Sequence, residues 1–329
     1  MAITLAEAKV GMADKVDQNV VDEFRRDSFL LDKLIFDDAV SPGTGGSTLT
    51  YGYVQLQTPS TAERRDINTE YENNEAKRVK KTADLDIFGG SFKIDRVLQN
   101  TSGAIDEIDF QMKQKIKAAS NLFHYLVVNG STSNSNGFKK CNFDGIRKLL
   151  SGSSTEKSAE AIDLTTVEMI DKYMFSFVLM INKWLQGLGD KPDMLLMNGD
   201  MIAIMQYIGQ KMGYYERTKD DFGRDVTTYK GIPMLDAGKY YDGTSNKEVN
   251  CVSTDDTTGN SSLIALKIGL DAFHGISPKE TSAIIKSYLP DLNAPGAVKT
   301  GEAELVAGVV LKNTKMAGIL NDIKIQPTA

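Results

Sequence analysis

The spacing of apolar residues along the chain predicts both helices and strands. Apolar side chains recur every three or four residues over 103–129, which predicts a long helix with Met112, Ile116 and Phe123 on one face. The same spacing predicts a helix that begins at Thr165 or Thr166 and another that begins at Asn198. Short apolar runs predict strands at residues 193–197, 231–238, 249–252, 263–270 and 305–311. Long helices and scattered strands together predict an α+β fold.

The most informative pattern lies between residues 47 and 92. Residues 48–56 are rich in β-forming side chains, and residues 79–87 predict a second strand that alternates strictly from Thr82 to Ile87. This alternation predicts one face that carries Ala83, Leu85 and Ile87. The polar connection of roughly twenty residues is longer than a compact domain usually holds. We therefore predict a hairpin arm that projects from the body, with its tip at residues 59–74.

An isolated two-stranded hairpin is marginally stable in water, so such an arm needs a support, and the natural one is a neighbouring subunit. An ordinary solvated loop is the alternative interpretation. Exposed ion pairs contribute about 0–1 kcal/mol each to stability. Charges on the arm would therefore determine the register of the contact and the choice of partner. The residues predicted to make inter-subunit contacts are Arg64, Arg65, Asp66, Glu70, Lys77, Arg78, Lys80 and Lys81 in the arm, and Arg25 and Arg26 before it.

Two segments are predicted to lack regular structure. Residues 41–47, Ser-Pro-Gly-Thr-Gly-Gly-Ser, predict a flexible joint. A phosphate-cradling loop is excluded there because no Gly-Lys-Ser/Thr follows. Residues 213–230 predict a long polar loop rich in Tyr, Arg and Asp.

Composition and charge narrow the class of protein. The chain has 329 residues, 41% hydrophobic and 25% charged, which is typical of globular proteins. Its net charge of -6 argues against a broad nucleic-acid-binding surface. Two distant cysteines, Cys141 and Cys251, exclude a disulfide framework. The N-terminus lacks the features of a signal peptide, and the apolar run at residues 173–181 is too short to span a bilayer, so we expect synthesis in the cytoplasm and no membrane partner.

The sequence contains no recognisable catalytic constellation. His-Glu-x-x-His, Gly-x-Ser-x-Gly and Gly-x-Gly-x-x-Gly after a strand are all absent. The only histidines, His124 and His274, are far apart, and we interpret both as packed residues. We therefore expect no catalytic, cofactor-binding or metal-binding residues. An enzyme with an unrecognised site is the alternative.

Three short sequence segments resemble segments of a known family. They are Phe143-Asp144-Gly145-Ile146, the run Tyr229-Lys230-Gly231-Ile232-Pro233-Met234, and residues 309–320, which look like a last strand followed by a turn and a short helix. Together with the order of elements, they resemble the major capsid proteins of tailed bacteriophages, whose Hong Kong 97-like fold is shared with encapsulins. The resemblance implies an N-terminal arm (1–46), an extended β-hairpin loop (47–92), a peripheral domain with a spine helix (93–160), an axial domain (161–262) and a return to the peripheral domain (263–329).

The resemblance also implies a function. Subunits of this family form pentamers and hexamers that tile an icosahedral shell around double-stranded phage DNA, with no sequence-specific DNA binding. Residues 213–230 would lie near the capsomer axis. A separate scaffolding protein, a portal and decoration proteins would be the partners, and the virion the location, after synthesis in the host bacterial cytoplasm. An encapsulin-like protein compartment and another phage structural protein remain as alternatives.

Overall fold

Two sheets with helices packed against them organise the part of the chain that the structure describes. The computed structural model describes residues 33–40, 45–58, 60–72, 75–95, 107–133, 138–213, 216–219, 225–243, 247–278 and 285–327. The helices are α1 (Glu107–Asn129), α2 (Ile146–Leu150), α3 (Val167–Gln186) and α4 (Gly199–Met212). The strands are β1 (Phe36–Ala39), β2 (Thr50–Thr58), β3 (Lys77–Asp84), β4 (Asp86–Asp95), β5 (Gly130–Ser131), β6 (Lys139–Lys140), β7 (Glu156–Ser158), β8 (Met194–Met197), β9 (Glu216–Lys219), β10 (Asp225–Tyr229), β11 (Ile232–Asp236), β12 (Lys239–Asp242), β13 (Lys247–Asn250), β14 (Asn260–Leu266), β15 (Phe273–Pro278), β16 (Ile285–Tyr288), β17 (Val298–Leu311) and β18 (Ala317–Lys324).

The first sheet is built around β17, which is 14 residues long. Its order is β1-β15-β17-β16, and β4 also pairs with β17. Helix α1 packs on this sheet through the face that the sequence predicts, because Met112, Ile116 and Phe123 are all buried. The rings of Phe88, Phe123 and Phe143 meet edge to face, with centroids 5.6 to 6.4 Å apart.

Helix α1 ends where the sequence predicts. At Gly130 a Cβ would lie 2.5 Å from the carbonyl oxygen of Leu126 and 2.7 Å from the sulfur of Cys141, so a larger residue does not fit there without a shift. The buried side chain of Asn129 then links two segments: its amide nitrogen donates to the carbonyl oxygen of Cys251 at 2.6 Å, and its oxygen accepts from Arg147 at 3.1 Å. The predicted start of the helix, residues 103–106, lies outside the described residues.

The second sheet, in the order β7-β18-β14-β8-β11-β10-β9, forms a second core with α3 and α4. Both helices begin at the predicted caps. The hydroxyl of Thr166 accepts from the backbone N–H of Met169 at 3.3 Å, and the Asn198 side chain accepts from that of Met201 at 2.8 Å. Helix α4 ends at Gly213, whose φ of 77° favours glycine.

The strict alternation predicted from Thr82 to Ile87 is wrong at its end. Strand β3 stops at Asp84, β4 begins at Asp86, and Leu85 between them is buried. Ile87 is therefore 62% exposed, and Phe88 takes the inward position instead. The physical reason is that the chain leaves the hairpin at Leu85 to pair with β17. The alternation therefore starts again in β4, where Phe88 and not Ile87 faces the core.

Two other predictions need correction. Residues 213–230 are not all loop, because β9 and β10 pair antiparallel and extend the second sheet. The short helix expected near the C-terminus is a single 3-10 turn, Thr314–Met316, capped by the Asn313 side chain and followed directly by β18. The predicted strands also differ in length, since β17 begins at Val298 rather than at residue 305.

The predicted domain boundaries stay predictions. Strand β18 pairs with β14 and β7 in the second sheet, so the chain after residue 263 contributes to both sheets. Across the described ranges, no helix is both long and apolar enough to cross a bilayer.

The two phenylalanines of α1 give a matched test of this packing. Phe123 is completely buried, whereas Phe110 is 47% exposed. We expect Phe123→Ala to lower the free energy of unfolding by about 3–5 kcal/mol because it leaves a cavity among aromatic rings. Phe110→Ala should change it by less than about 1 kcal/mol. Chemical denaturation followed by circular dichroism measures both, and equal losses would contradict this account of the core.

Candidate functional site

The predicted arm is a two-stranded hairpin, here called the stem, that carries a long tip. The stem consists of β2 and β3, paired antiparallel from Thr50 opposite Asp84 to Thr58 opposite Lys77. The tip is the connection, residues 60–75. Every described residue of the tip is exposed. Because side chains alternate along a strand, β2 presents Tyr51, Tyr53 and Gln55 on its inner face and Val54 and Leu56 on its outer face.

The inner face fastens the root of the arm to the body. The Tyr51 hydroxyl donates to the Asp37 carboxylate at 2.6 Å, and the Gln55 amide donates to the carbonyl oxygen of Lys312 at 3.0 Å. Tyr53 packs in a small core with Leu85 and Val310. Burial, followed by the hydrogen bond to Asp37, raises the pKa of Tyr51 well above its usual range, so the phenol stays protonated and donates.

Both histidines of the chain are packing residues. The ring of His274 is completely buried and meets the Tyr51 ring edge to face at 5.8 Å. Burial lowers the pKa of His274, and nearby Lys312 acts in the same direction. Burial also lowers the pKa of His124 to about 4. The neutral form of each ring is therefore favoured, as a packed imidazole requires.

The outer face and the tip leave apolar side chains in water. Val54 is 63% exposed, Leu56 58% and Ile67 90%. Tyr71, also in the tip, is exposed as well. An isolated subunit therefore leaves an apolar strip on the stem, Val54 with Leu56, and two apolar side chains of the tip without cover, and such exposure marks a contact surface.

The charged residues predicted from the sequence divide between stem and tip. Lys77, Arg78, Lys80 and Lys81 are exposed on β3, where Arg78 and Lys80 share the outer face, and Arg64, Arg65, Asp66 and Glu70 lie in the tip. Arg25 and Arg26 lie outside the described residues. The structure contains one copy of the chain, so the inter-subunit role of all ten residues stays a prediction.

The tip has internal order. Arg64 forms an ion pair with Asp66 at 3.1 Å. Arg65 donates to the carbonyl oxygen of Thr69 at 3.1 Å and lies over the Tyr71 ring, 5.4 Å from its centroid. The Thr69 hydroxyl donates to the carbonyl oxygen of Asp66 at 2.8 Å. These contacts give the tip a turn of defined shape rather than a free coil.

Sequence reasoning missed the apolar members of this surface and the residues that hold its root. Val54 and Leu56 alternate with Tyr53 and Gln55, so the sequence placed them on one face of β2 but did not show that this face would be left uncovered. No local signal pointed to Asp37 or Lys312, because they reach Tyr51 and Gln55 only through the fold.

The described residues meet the requirements of neither a metal site nor a reactive thiol. No group of three or more His, Cys, Asp or Glu side chains within them could hold a metal ion. Cys141 and Cys251 are free and buried. Burial raises the pKa of both thiols, that of Cys251 to about 12, so neither thiol is activated as a nucleophile.

Comparison with known proteins gives a clear result for the fold. No family model matches the chain, and no curated protein matches it in sequence. Solved structures do match. An encapsulin complex from Synechococcus elongatus is 12% identical with a TM-score of 0.62, covering 92% of this chain and 89% of that one. The capsid of Myoviridae phage XM1 is 10% identical with a TM-score of 0.53, covering 89% and 90%. A virus-like particle from Pyrococcus furiosus is 8% identical with a TM-score of 0.53, covering 94% and 99%.

These matches extend over nearly the whole length of each chain. They confirm the α+β class and the Hong Kong 97-like capsid fold that the sequence predicts. At such low identity the likeness establishes the architecture of the subunit.

The root of the arm can be tested with two matched tyrosines. Tyr51→Phe removes the hydroxyl that donates to Asp37, and a hydrogen bond to a charged acceptor contributes about 1.5–3 kcal/mol. We expect backbone amides of β2 to exchange with deuterium at least about tenfold faster, because opening of the arm becomes less costly. Tyr53→Phe, on the same face, removes a hydroxyl that does not contact Asp37 and should leave the exchange rate nearly unchanged. Equal acceleration in both variants would argue against this role of Tyr51.

Proposed function

We propose that this chain is a shell-forming subunit, the major capsid protein of a tailed bacteriophage. Copies of it would form pentamers and hexamers that close into an icosahedral shell around double-stranded DNA. The observation that carries the proposal is the arm: a hairpin held at its root, exposed at every described residue of its tip, and lined with apolar side chains.

The physical argument starts from the stability of the arm. A two-stranded hairpin is at best marginally stable where no other surface supports it. The contacts at Asp37 and Lys312 secure the root, but Val54, Leu56 and Ile67 remain in water beyond it. A neighbouring copy supplies the missing surface, so the arm becomes stable as the shell forms.

A second exposed apolar patch, on α3, supports contacts on more than one side. Val167, Phe175 and Leu179 are all more than half exposed, and they lie far along the chain from the arm. A subunit that uses different surfaces toward different neighbours makes heterologous contacts, which close into rings. Many such contacts, each weak, hold a shell together by multivalency.

The negative net charge of the chain supports a shell that encloses DNA. The net charge of -6 keeps the chain from adhering broadly to packaged nucleic acid. We propose a separate scaffolding protein, a portal and decoration proteins as partners, and the virion as the location. As a structural subunit, the chain would need neither a catalytic site nor a cofactor.

An encapsulin-like compartment with a protein cargo is the second candidate function. The observation that favours it is the TM-score of 0.62 with the encapsulin complex, against 0.53 with the phage XM1 capsid. The two functions share a shell and differ in its contents.

Electron microscopy of the expressed protein, alone and with its neighbouring genes, tests the shell. We expect closed particles with five- and six-fold capsomers. Particles isolated from their source are then assayed for nuclease-protected DNA and for cargo protein. Protected DNA supports the phage capsid, and an enclosed enzyme supports the encapsulin. A protein that stays monomeric and never assembles would contradict both proposals.

Deleting residues 59–74 separates assembly from folding. The described residues of the tip contribute nothing to the buried core, so we expect the shortened subunit to unfold at a temperature within about 3 °C of the parent. Shell formation should fall sharply, measured as the pelletable fraction by ultracentrifugation. Replacing the same residues with Gly and Ser at equal length is the control for chain length and should fail in the same way. Loss of folding would show instead that the segment belongs to the subunit interior.

A further inference from the structure

We infer that, within the proposed shell, the acidic tip of one arm binds the basic outer face of the stem of an adjacent copy's arm. This inference rests on the proposed function and deepens it by naming the partner surface. It goes beyond the expectation that the arm lies over a neighbour, because it assigns both sides of the contact to the arm itself.

The stem carries unneutralised positive charge. On β3, Arg78 and Lys80 lie on the outer face, opposite Leu56 and Val54, whereas Lys77 and Lys81 lie on the inner face; the facing strand β2 has no charged residue. None of the four has a carboxylate partner among the described residues. Asp84, at the other end of β3, accepts a hydrogen bond from the Thr50 hydroxyl at 2.8 Å. Arg78 and Lys80, side by side on the outer face, repel each other, and an incoming acidic surface relieves that repulsion.

The tip carries the opposite charge, because its five carboxylates outnumber its two arginines. Its carboxylates are Glu63, Asp66, Glu70, Glu72 and Glu75, and its two arginines are already engaged. Arg64 pairs with Asp66, and Arg65 lies over Tyr71. The four glutamates therefore have no cationic partner within the described part of the chain. Within the described residues, these carboxylates repel one another in the tip, as Arg78 and Lys80 do on the outer face of the stem.

Apolar side chains lie within both charged surfaces. On the outer face of the stem, Val54 stands opposite Lys80 and Leu56 opposite Arg78, so the apolar pair is edged by cations. In the tip, Ile67 is 90% exposed and follows Asp66 directly. Ile67, with carboxylates around it, packs on Val54 and Leu56, which have cations around them. Such a contact buries apolar surface, and the opposite charges fix the orientation of the two copies.

The partner must be another copy. The tip joins the far end of its own stem, and Ile67 is 90% exposed, so the described part of its own chain does not cover it. A second copy supplies the same stem, free on its outer face. Repeated from copy to copy, the contact is heterologous and closes into a ring, which is the symmetry of a capsomer.

Charge reversal with rescue tests the pairing. The stem variant is Arg78→Glu with Lys80→Glu, the tip variant is Glu70→Lys with Glu72→Lys, and the third variant combines all four substitutions. We expect each double variant to lower the yield of shells by about tenfold, because like charges then meet at every copy of a multivalent contact. The combined variant should recover to within about twofold of the parent, since the pairs are restored in reverse.

Two controls accompany the reversal. Lys140→Glu with Lys286→Glu makes the same change in net charge as the stem variant, at exposed sites outside the arm, and should assemble like the parent. Unfolding temperatures identify any variant that fails through misfolding. If the combined variant assembles no better than the stem variant and the tip variant, the stem and the tip contact other surfaces and the inference is overturned.

Cross-linking locates the contact directly. Leu56→Cys and Ile67→Cys are placed on separate copies with different tags and expressed together, and the native cysteines are buried, so they do not compete. Mild oxidation of the shells should yield mainly a disulfide between the two different copies. Shells that form without this cross-link would overturn the arm-to-arm contact while leaving the proposed function intact. In that case, mass spectrometry with a bifunctional reagent identifies what covers Ile67, whether the N-terminal segment, α3 or another surface. Failure of the parent chain to form shells would instead reject the proposed function.

Discussion

The pairing of β4 with β17 is the constraint on which the rest of the molecule depends. The two strands run side by side for ten residue pairs, from Val298 opposite Asp95 to Ala307 opposite Asp86. Strand β17 also pairs with β15, at the end where its ladder with β4 stops, and with β16 along Glu302–Leu305, on the side opposite β4. The approach of the two strands is so close that a Cβ at Gly89 would collide with the carbonyl oxygen of Ala303. Because β3 passes into β4 with only Leu85 between them, this ladder also sets the direction in which the arm leaves the body.

The body and the arm therefore differ in what stabilises them. The body has two apolar cores, one under α1 and one under α3 and α4, and β17 and β18 connect them through the single turn at Thr314–Met316. The arm has a root of three hydrogen-bonded or packed side chains and a long surface in water. Such a division suits a subunit that folds first and gains its last ordered contacts on association, because the free energy of the exposed strip is released only when a neighbour covers it.

The candidate surface was only partly visible in the sequence. Charge clusters are local, so the cations at Lys77 to Lys81 and the carboxylates of the tip could be recognised from the order of residues alone. The apolar strip could not, because Val54 and Leu56 look the same in sequence whether a sheet covers them or water does. The fold decided this by turning Tyr51 and Tyr53 toward Asp37 and Val310, which leaves the opposite face uncovered.

The sequence by itself determined the three long helices, the end of α1 and the starts of α3 and α4. Caps such as Thr166 and Asn198, and the apolar face of α1, act through neighbours three or four residues away, so local pattern was sufficient. Only the tertiary structure decided where strands end and which side of them is buried. Leu85 breaks an alternation that looked continuous, β9 and β10 arise in a segment that looked like loop, and β17 begins seven residues before the apolar run. A strand is stabilised by partners far away in the chain, and the extent of β17 is set by Asp86–Asp95, some two hundred residues earlier.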